Sequence, residues 1–75
     1  MKELLEYIAK HLVDNPDAVV VTERASRSAI SLQLTVGEGD AGKVIGRGGR
    51  VAKAIRDLVS VAAARQNKRV HIDIE

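Results

Sequence analysis

Gly46-Arg47-Gly48-Gly49 is the stretch whose residue types could do chemistry. Its three glycines leave the backbone bare, so N–H groups can come against a ligand that a Cβ would hold off. Arg47 stands among them, and Lys43, Arg50 and Lys53 flank them. Over residues 42–56, five side chains are basic and none is acidic. The loop leads into a helix N-terminus, whose free N–H groups and dipole suit the oxygens of a phosphate. An ordinary glycine turn between two helices would use the same residues, so the loop alone does not separate the two readings.

Other candidate chemistry is weaker. Residues 37–42, GEGDAG, match G-x-G-x-x-G, but a dinucleotide site needs a larger βαβαβ unit than this chain can hold. GEGDAGKV also approaches a phosphate loop, with Val44 where a Ser or Thr should hold Mg²⁺. In both patterns Glu38 and Asp40 would face the phosphates. The simpler reading makes Gly37 and Gly39 a turn and Asp40 a helix N-cap. His71, Asp73 and Glu75 share the wet face of a strand, where alternate residues stand roughly 6–7 Å apart. A closed metal site would need ligands from another element, and none is evident. No motif surrounds Ser26, Ser28 or Ser60. The expectation is no enzyme, no cofactor, no metal and no small-molecule substrate.

Charge supports an anionic partner. Residues 1–40 carry four basic and seven acidic side chains, a net −3; residues 41–75 carry eight basic and three acidic, a net +5. A total of +2 therefore hides a basic half. The 75 residues suffice for one domain, residues 1–75, with a thin core. The 45% hydrophobic content argues against disorder. There is no Cys, which fits the expected cytoplasmic localisation. No apolar run approaches the ~20 residues that span a bilayer, so no membrane association is expected.

The elements that must position the loop follow from periodicity. Leu4, Leu5, Ile8 and Leu12 recur at helical spacing, and Asn15-Pro16 stops that helix. Ala18 to Glu23 reads as a strand, and Arg24 to Ser28 as a polar turn. Ile30, Leu32, Leu34 and Val36 alternate with polar residues, as in a strand with one buried face. A short helix through Val44 and Ile45 ends at the glycines. A long one follows, with Val51, Ile55, Leu58, Val59 and Ala62 on one stripe and Asn67 at its end. Val70, Ile72 and Ile74 alternate in a last strand. The first two strands are joined by a short turn and should be antiparallel. The last two are joined by a helical crossover and can lie parallel. Helices are needed on one sheet face only.

Gly42-x-x-Ile45-Gly46-Arg47-Gly48-Gly49, with Ala52 and Ile55 following at three-residue steps, resembles the core motif of a KH domain. The order α-β-β-α-α-β is similar to the type II arrangement, over the whole chain. Small size and the runs GRVAKAIRDL and KRVHIDI resemble the bacterial KhpA-type RNA-binding proteins. The resemblance implies an α+β type II KH-like domain, with a three-stranded mixed sheet and helices packed on one face. It implies single-stranded RNA binding, as a post-transcriptional regulator or RNA chaperone, and a homodimer or a heterodimer with a second KH-domain protein. Carried over by residue, Gly46 and Gly49 frame the loop and Arg47 and Gly48 are its variable pair. Bases would lie in a groove lined by Ile45, Val51, Ala52 and Ile55, with Lys43, Arg50 and Lys53 around it. KH loops clamp about four nucleotides by their backbone.

Two features depart from the pattern. Gly48 leaves Arg47 as the only charge in the variable pair, and the acidic 38–40 stretch could repel RNA. Tyr7 is the sole aromatic, which disfavours RNA folds that need stacking platforms. A helix-turn-helix with a recognition helix from Arg50 fits the three strands poorly. The alternatives are a single-stranded DNA binder or a protein-interaction module, the latter using Val59, Ala62, Ala63 and Ala64.

Overall fold

A computed structural model describes residues 1–75. Helix α1 (Lys2–Leu12) is followed by strands β1 (Val20–Ala25) and β2 (Ala29–Thr35), helices α2 (Ala41–Ile45) and α3 (Arg50–Ala64), and strand β3 (Arg69–Ile74). The sheet order is β1-β2-β3, with β1 antiparallel and β3 parallel to the central β2. The expected α+β class and mixed sheet are both present.

Period-two patterning sets the layers. Ile30, Leu32 and Leu34 of β2 turn inward and are buried with Val21 and Ile72 of the flanking strands. Leu5 and Ala9 of α1, Val44 of α2, and Ile55 and Val59 of α3 close the core against that face. The other face of the sheet carries Thr22, Arg24, Ser31, Gln33, His71 and Asp73 and is covered by no helix.

Several local expectations shift. The strand expected over Ala18–Glu23 begins at Val20 and runs to Ala25. Pro16 starts a 3₁₀ turn at Pro16–Ala18, where the N–H groups of Ala18 and Val19 bond to the carbonyls of Asn15 and Pro16. Arg24 and Ala25 belong to the ladder opposite Ser31 and Ile30, so the polar turn shrinks to its tip. Ser26 closes it: its N–H donates to the Ala29 carbonyl, and its hydroxyl accepts the Ala29 N–H.

The inward stripe of α3 is Ala52, Ile55, Val59 and Ala63, not the stripe containing Leu58 and Ala62. Leu58 is 53% exposed. Beyond the helix, the Lys68 N–H bonds to the Ala63 carbonyl and that of Asn67 to Ala64. Asn67 takes a φ of 57°, the left-handed end that finishes many helices.

Asp40 sits at the N-cap position of α2, but its side chain caps nothing there. It is 4% exposed, the only buried charged residue. Its two carboxylate oxygens accept the backbone N–H groups of Asp14 (3.3 Å) and Asn15 (3.1 Å). A buried carboxylate needs such donors. This one ties the end of α1 to the start of α2. Asp40 therefore neither faces a phosphate in the 37–42 glycine pattern nor presents its charge to a passing polyanion.

Candidate nucleic-acid interface

The glycine loop is built from the end of α2 and the start of α3. The Gly46 N–H donates to the Gly42 carbonyl at 2.9 Å and ends α2. Gly46 then takes φ 76°, ψ 172°, a region open essentially to glycine alone. Its missing side chain is also a matter of space. A Cβ there would lie 2.5 Å from Val51 Cγ2 and 2.9 Å from the Val51 backbone nitrogen. The loop thus folds back onto the first turn of α3, and Val51 fills the room that Gly46 leaves. Gly48 is also left-handed, with φ 65°, but nothing stands within 4 Å of where its Cβ would be. Gly49 is the residue from which α3 starts.

Arg47 and Arg50 are exposed beside this backbone and make no ion pair. The two lysines differ. Lys43 Nζ donates to Asp14 Oδ2 at 2.9 Å. That hydrogen bond, followed by the charge of Asp14, holds the Lys43 ammonium above its usual 10.5, with a smaller push from Asp40 and a small opposing effect of burial. Lys43 stays charged across neutral pH, but a carboxylate already answers that charge. Lys53 Nζ is 3.0 Å from Asp57 one turn along α3, an exposed pair of small energetic worth that a phosphate can displace. The uncompensated charge at the loop is therefore Arg47 and Arg50.

Apolar surface near the loop is narrower than expected. Ile45 is 39% exposed and Val51 is half-buried, so both can meet a base. Ala52 and Ile55 are buried in the core and support the surface from beneath. The reason is the rotation of α3, which turns their stripe onto the sheet.

Strand β3 supplies the opposite wall, because it is the outer strand on the side against which α2 and α3 pack. Arg69 and Glu75 donate their N–H groups to the carbonyls of Ser28, just before β2, and Leu34 of β2. In a parallel ladder alternate residues face the neighbouring strand. The N–H and C=O groups of Val70, Ile72 and Ile74 therefore point to the open edge, free to pair with a donor–acceptor edge such as that of a base. No side-chain pattern could have shown this, since the groups are backbone. The Asp14 partner of Lys43 was equally hidden, being 29 residues away in the chain.

Elsewhere, His71 Nε2 lies 3.2 Å from Asp73 Oδ1 on the open face, a contact between neighbours on one strand. His11 Nδ1 bonds to the Tyr7 carbonyl, and its ring stacks at a tilt on Tyr7. No helix is long and apolar enough to cross a membrane.

Residues 2–74 match the family described as KhpA/KhpB, KH domain. The chain is 54% identical over 74 residues to the RNA-binding protein KhpA of Clostridium acetobutylicum, covering 99% of each chain. It is 53% identical to the protein of that name from Caldanaerobacter subterraneus, again covering 99% of each. It is 47% identical to that of Chlamydia trachomatis, covering 99% of this chain and 95% of the other. All three relatives carry the name of an RNA-binding protein. A glycine loop between α2 and α3, an α-β-β-α-α-β order and a near-complete match in length place the chain in the KhpA/KhpB family of KH-domain proteins.

Proposed function

We propose that this protein binds single-stranded RNA in the cytoplasm, as a post-transcriptional regulator or RNA chaperone. The observation that carries the reading is the loop itself. Gly46, Gly48 and Gly49 all have positive φ and present a bare backbone, with Arg47 and Arg50 unpaired beside it. The loop grips about four nucleotides by the phosphates. Ile45 and Val51 give the bases an aliphatic surface, and the free edge of β3 offers N–H and C=O groups for hydrogen bonds. The names of the relatives support RNA over DNA.

A salt titration tests it. For a single strand the log–log salt slope is about −0.7 per neutralised phosphate, so Arg47 and Arg50 alone predict about −1.4. If Lys43 and Lys53 leave their carboxylates for the ligand, the slope approaches about −2.8. A labelled RNA of about five nucleotides should bind within that range, and ahead of its deoxy counterpart. No binding at low salt, or binding indifferent to salt, counts against the reading.

Self-association, or pairing with a second KH protein, rests on α3. The surface first expected for it, Val59 to Ala64, includes Val59 and Ala63, both fully buried. The large apolar residues of α3 that reach solvent are Leu58 and Val61, three positions apart on one face; Val61 is 60% exposed. Leu58→Glu with Val61→Glu should leave the melting temperature nearly unchanged and halve the mass measured by light scattering. A wild-type protein that is monomeric at high concentration and captures no KH-domain protein would dismiss this interface.

A further inference from the structure

A second cluster of positive charge lies at the other end of the sheet from the glycine loop. Helix α3 has 15 residues, so its ends stand about 22 Å apart at 1.5 Å per residue. Its C-terminal end runs into Arg65, Lys68 and Arg69. Strand pairing brings the β1–β2 turn to the same end. Arg69 is opposite Ala29, its N–H bonds to the Ser28 carbonyl, and Arg24 is opposite Ser31. Arg24, Arg27, Arg65 and Arg69 are exposed, and Lys68 is half-buried. None of the five makes an ion pair.

The neighbouring carboxylates offset this charge only in part, since none pairs with any of the five cations. Glu23 lies next to Arg24 in β1 but on the opposite face of the pleat. Asp73, whose Oδ1 is 3.2 Å from His71 Nε2, is the one carboxylate on the open face near Arg24, a single negative charge against five cations. Beside the cluster, the open face holds a polar depression of about 350 Å³, where Arg24 and His71 adjoin Thr22, Ser31 and Gln33, with one carboxylate, Asp73, in its lining.

We infer that this end of the sheet is a second contact for the RNA backbone, taking phosphates of a strand that continues out of the groove. The inference rests on the RNA reading of the glycine loop. Helix α3 and strand β3, which bound the groove, both run to this end, so a strand longer than the groove's four or so nucleotides emerges beside the cluster. Four of the five cations are arginines, whose forked donors match phosphate oxygens. An acidic protein surface is a poorer fit. Protein interfaces are built around an apolar centre. The exposed large apolar residues of this chain are Tyr7, Leu12, Val20, Ile45, Leu58 and Val61, and none belongs to the cluster.

The test compares oligouridylates of about five and about twelve nucleotides, the shorter one just filling the groove. The variants are Arg24→Glu/Arg69→Glu and its neutral form, Arg24→Gln/Arg69→Gln, each checked by thermal melting. The neutral variant should bind the longer RNA about tenfold more weakly, with a salt slope shallower by about 1.4 for two lost phosphates. The charge-reversed variant should lose more. Both should bind the shorter RNA within about twofold of wild type. Unchanged binding of the longer RNA overturns the second contact, as does an equal loss on both lengths. So does unchanged RNA binding with lost affinity for a polyglutamate peptide, which would assign the cluster to a protein. Failure of the glycine-loop reading looks different: the wild type would then bind no short RNA, while the longer RNA still depended on Arg24 and Arg69.

Discussion

Arg47→Asp together with Gly48→Asp is expected to weaken single-stranded RNA binding about 100-fold or more and to leave a folded protein. A charge-assisted hydrogen bond contributes about 1.5–3 kcal/mol. The double variant removes the one from Arg47 and adds two carboxylates against the phosphates. Each 1.4 kcal/mol is a factor of ten in affinity, so a total near 3 kcal/mol gives the stated loss. Arg47→Ala removes the contact without the repulsion and should lose less. Position 48 is exposed and has space, but its φ of 65° makes any side chain there strained. The strain is about 1–2 kcal/mol, and Asp tolerates this region better than most residues. A fall in melting temperature of roughly 4–16 °C should accompany the double variant. Gly48→Ala separates the two effects: it should melt early and still bind RNA. If the double variant is folded and binds RNA as the wild type does, the loop is a glycine turn and not a grip.

Gly46→Ala should be the most damaging single change in the loop. Two costs coincide at this position. A non-glycine residue held at φ 76°, ψ 172° stores about 1–3 kcal/mol of strain. The new methyl would also collide with Val51, including its backbone nitrogen at 2.9 Å, and overpacking of this kind costs about 1–3 kcal/mol more. Small domains have total stabilities of about 5–15 kcal/mol, and a chain with a thin core lies toward the lower end. A fall in melting temperature of at least about 10 °C is expected, with RNA binding reduced even where the protein remains folded. Backing Val51 off, as in Gly46→Ala/Val51→Ala, should recover part of the stability but not the part due to φ. A Gly46→Ala protein that melts within a degree or two of wild type would mean that the loop does not need this close approach.

The arrangement of elements was largely written in local pattern. Alternation at Ile30, Leu32 and Leu34 is a property of the strand alone, because successive side chains of a strand point to opposite faces whatever packs on them. The glycine loop was legible for a similar reason: its backbone angles demand a residue without a Cβ, and Gly46 has no substitute. Periodicity could not decide which of two neighbouring stripes of α3 enters the core. Leu58 with Ala62 and Ala52 with Ala63 are both apolar, and the helix alone has no reason to prefer either. The close packing of Val51 on Gly46 and the fit against β3 turn the second stripe inward. That rotation leaves Leu58 and Val61 in solvent and withdraws Ala52 and Ile55 from the groove. The pairing of charges is hidden from local sequence in the same way. Asp40 reads locally as a helix cap, and Lys43 as a free cation. Folding sets the Asp40 carboxylate on the amides of Asp14 and Asn15 and the Lys43 ammonium on Asp14. The strength of an electrostatic contact depends on distance in space and on local solvation, not on separation along the chain. Residue types and their periods therefore determined the layers and the loop. Only the tertiary structure decided which cations remain free to hold a phosphate.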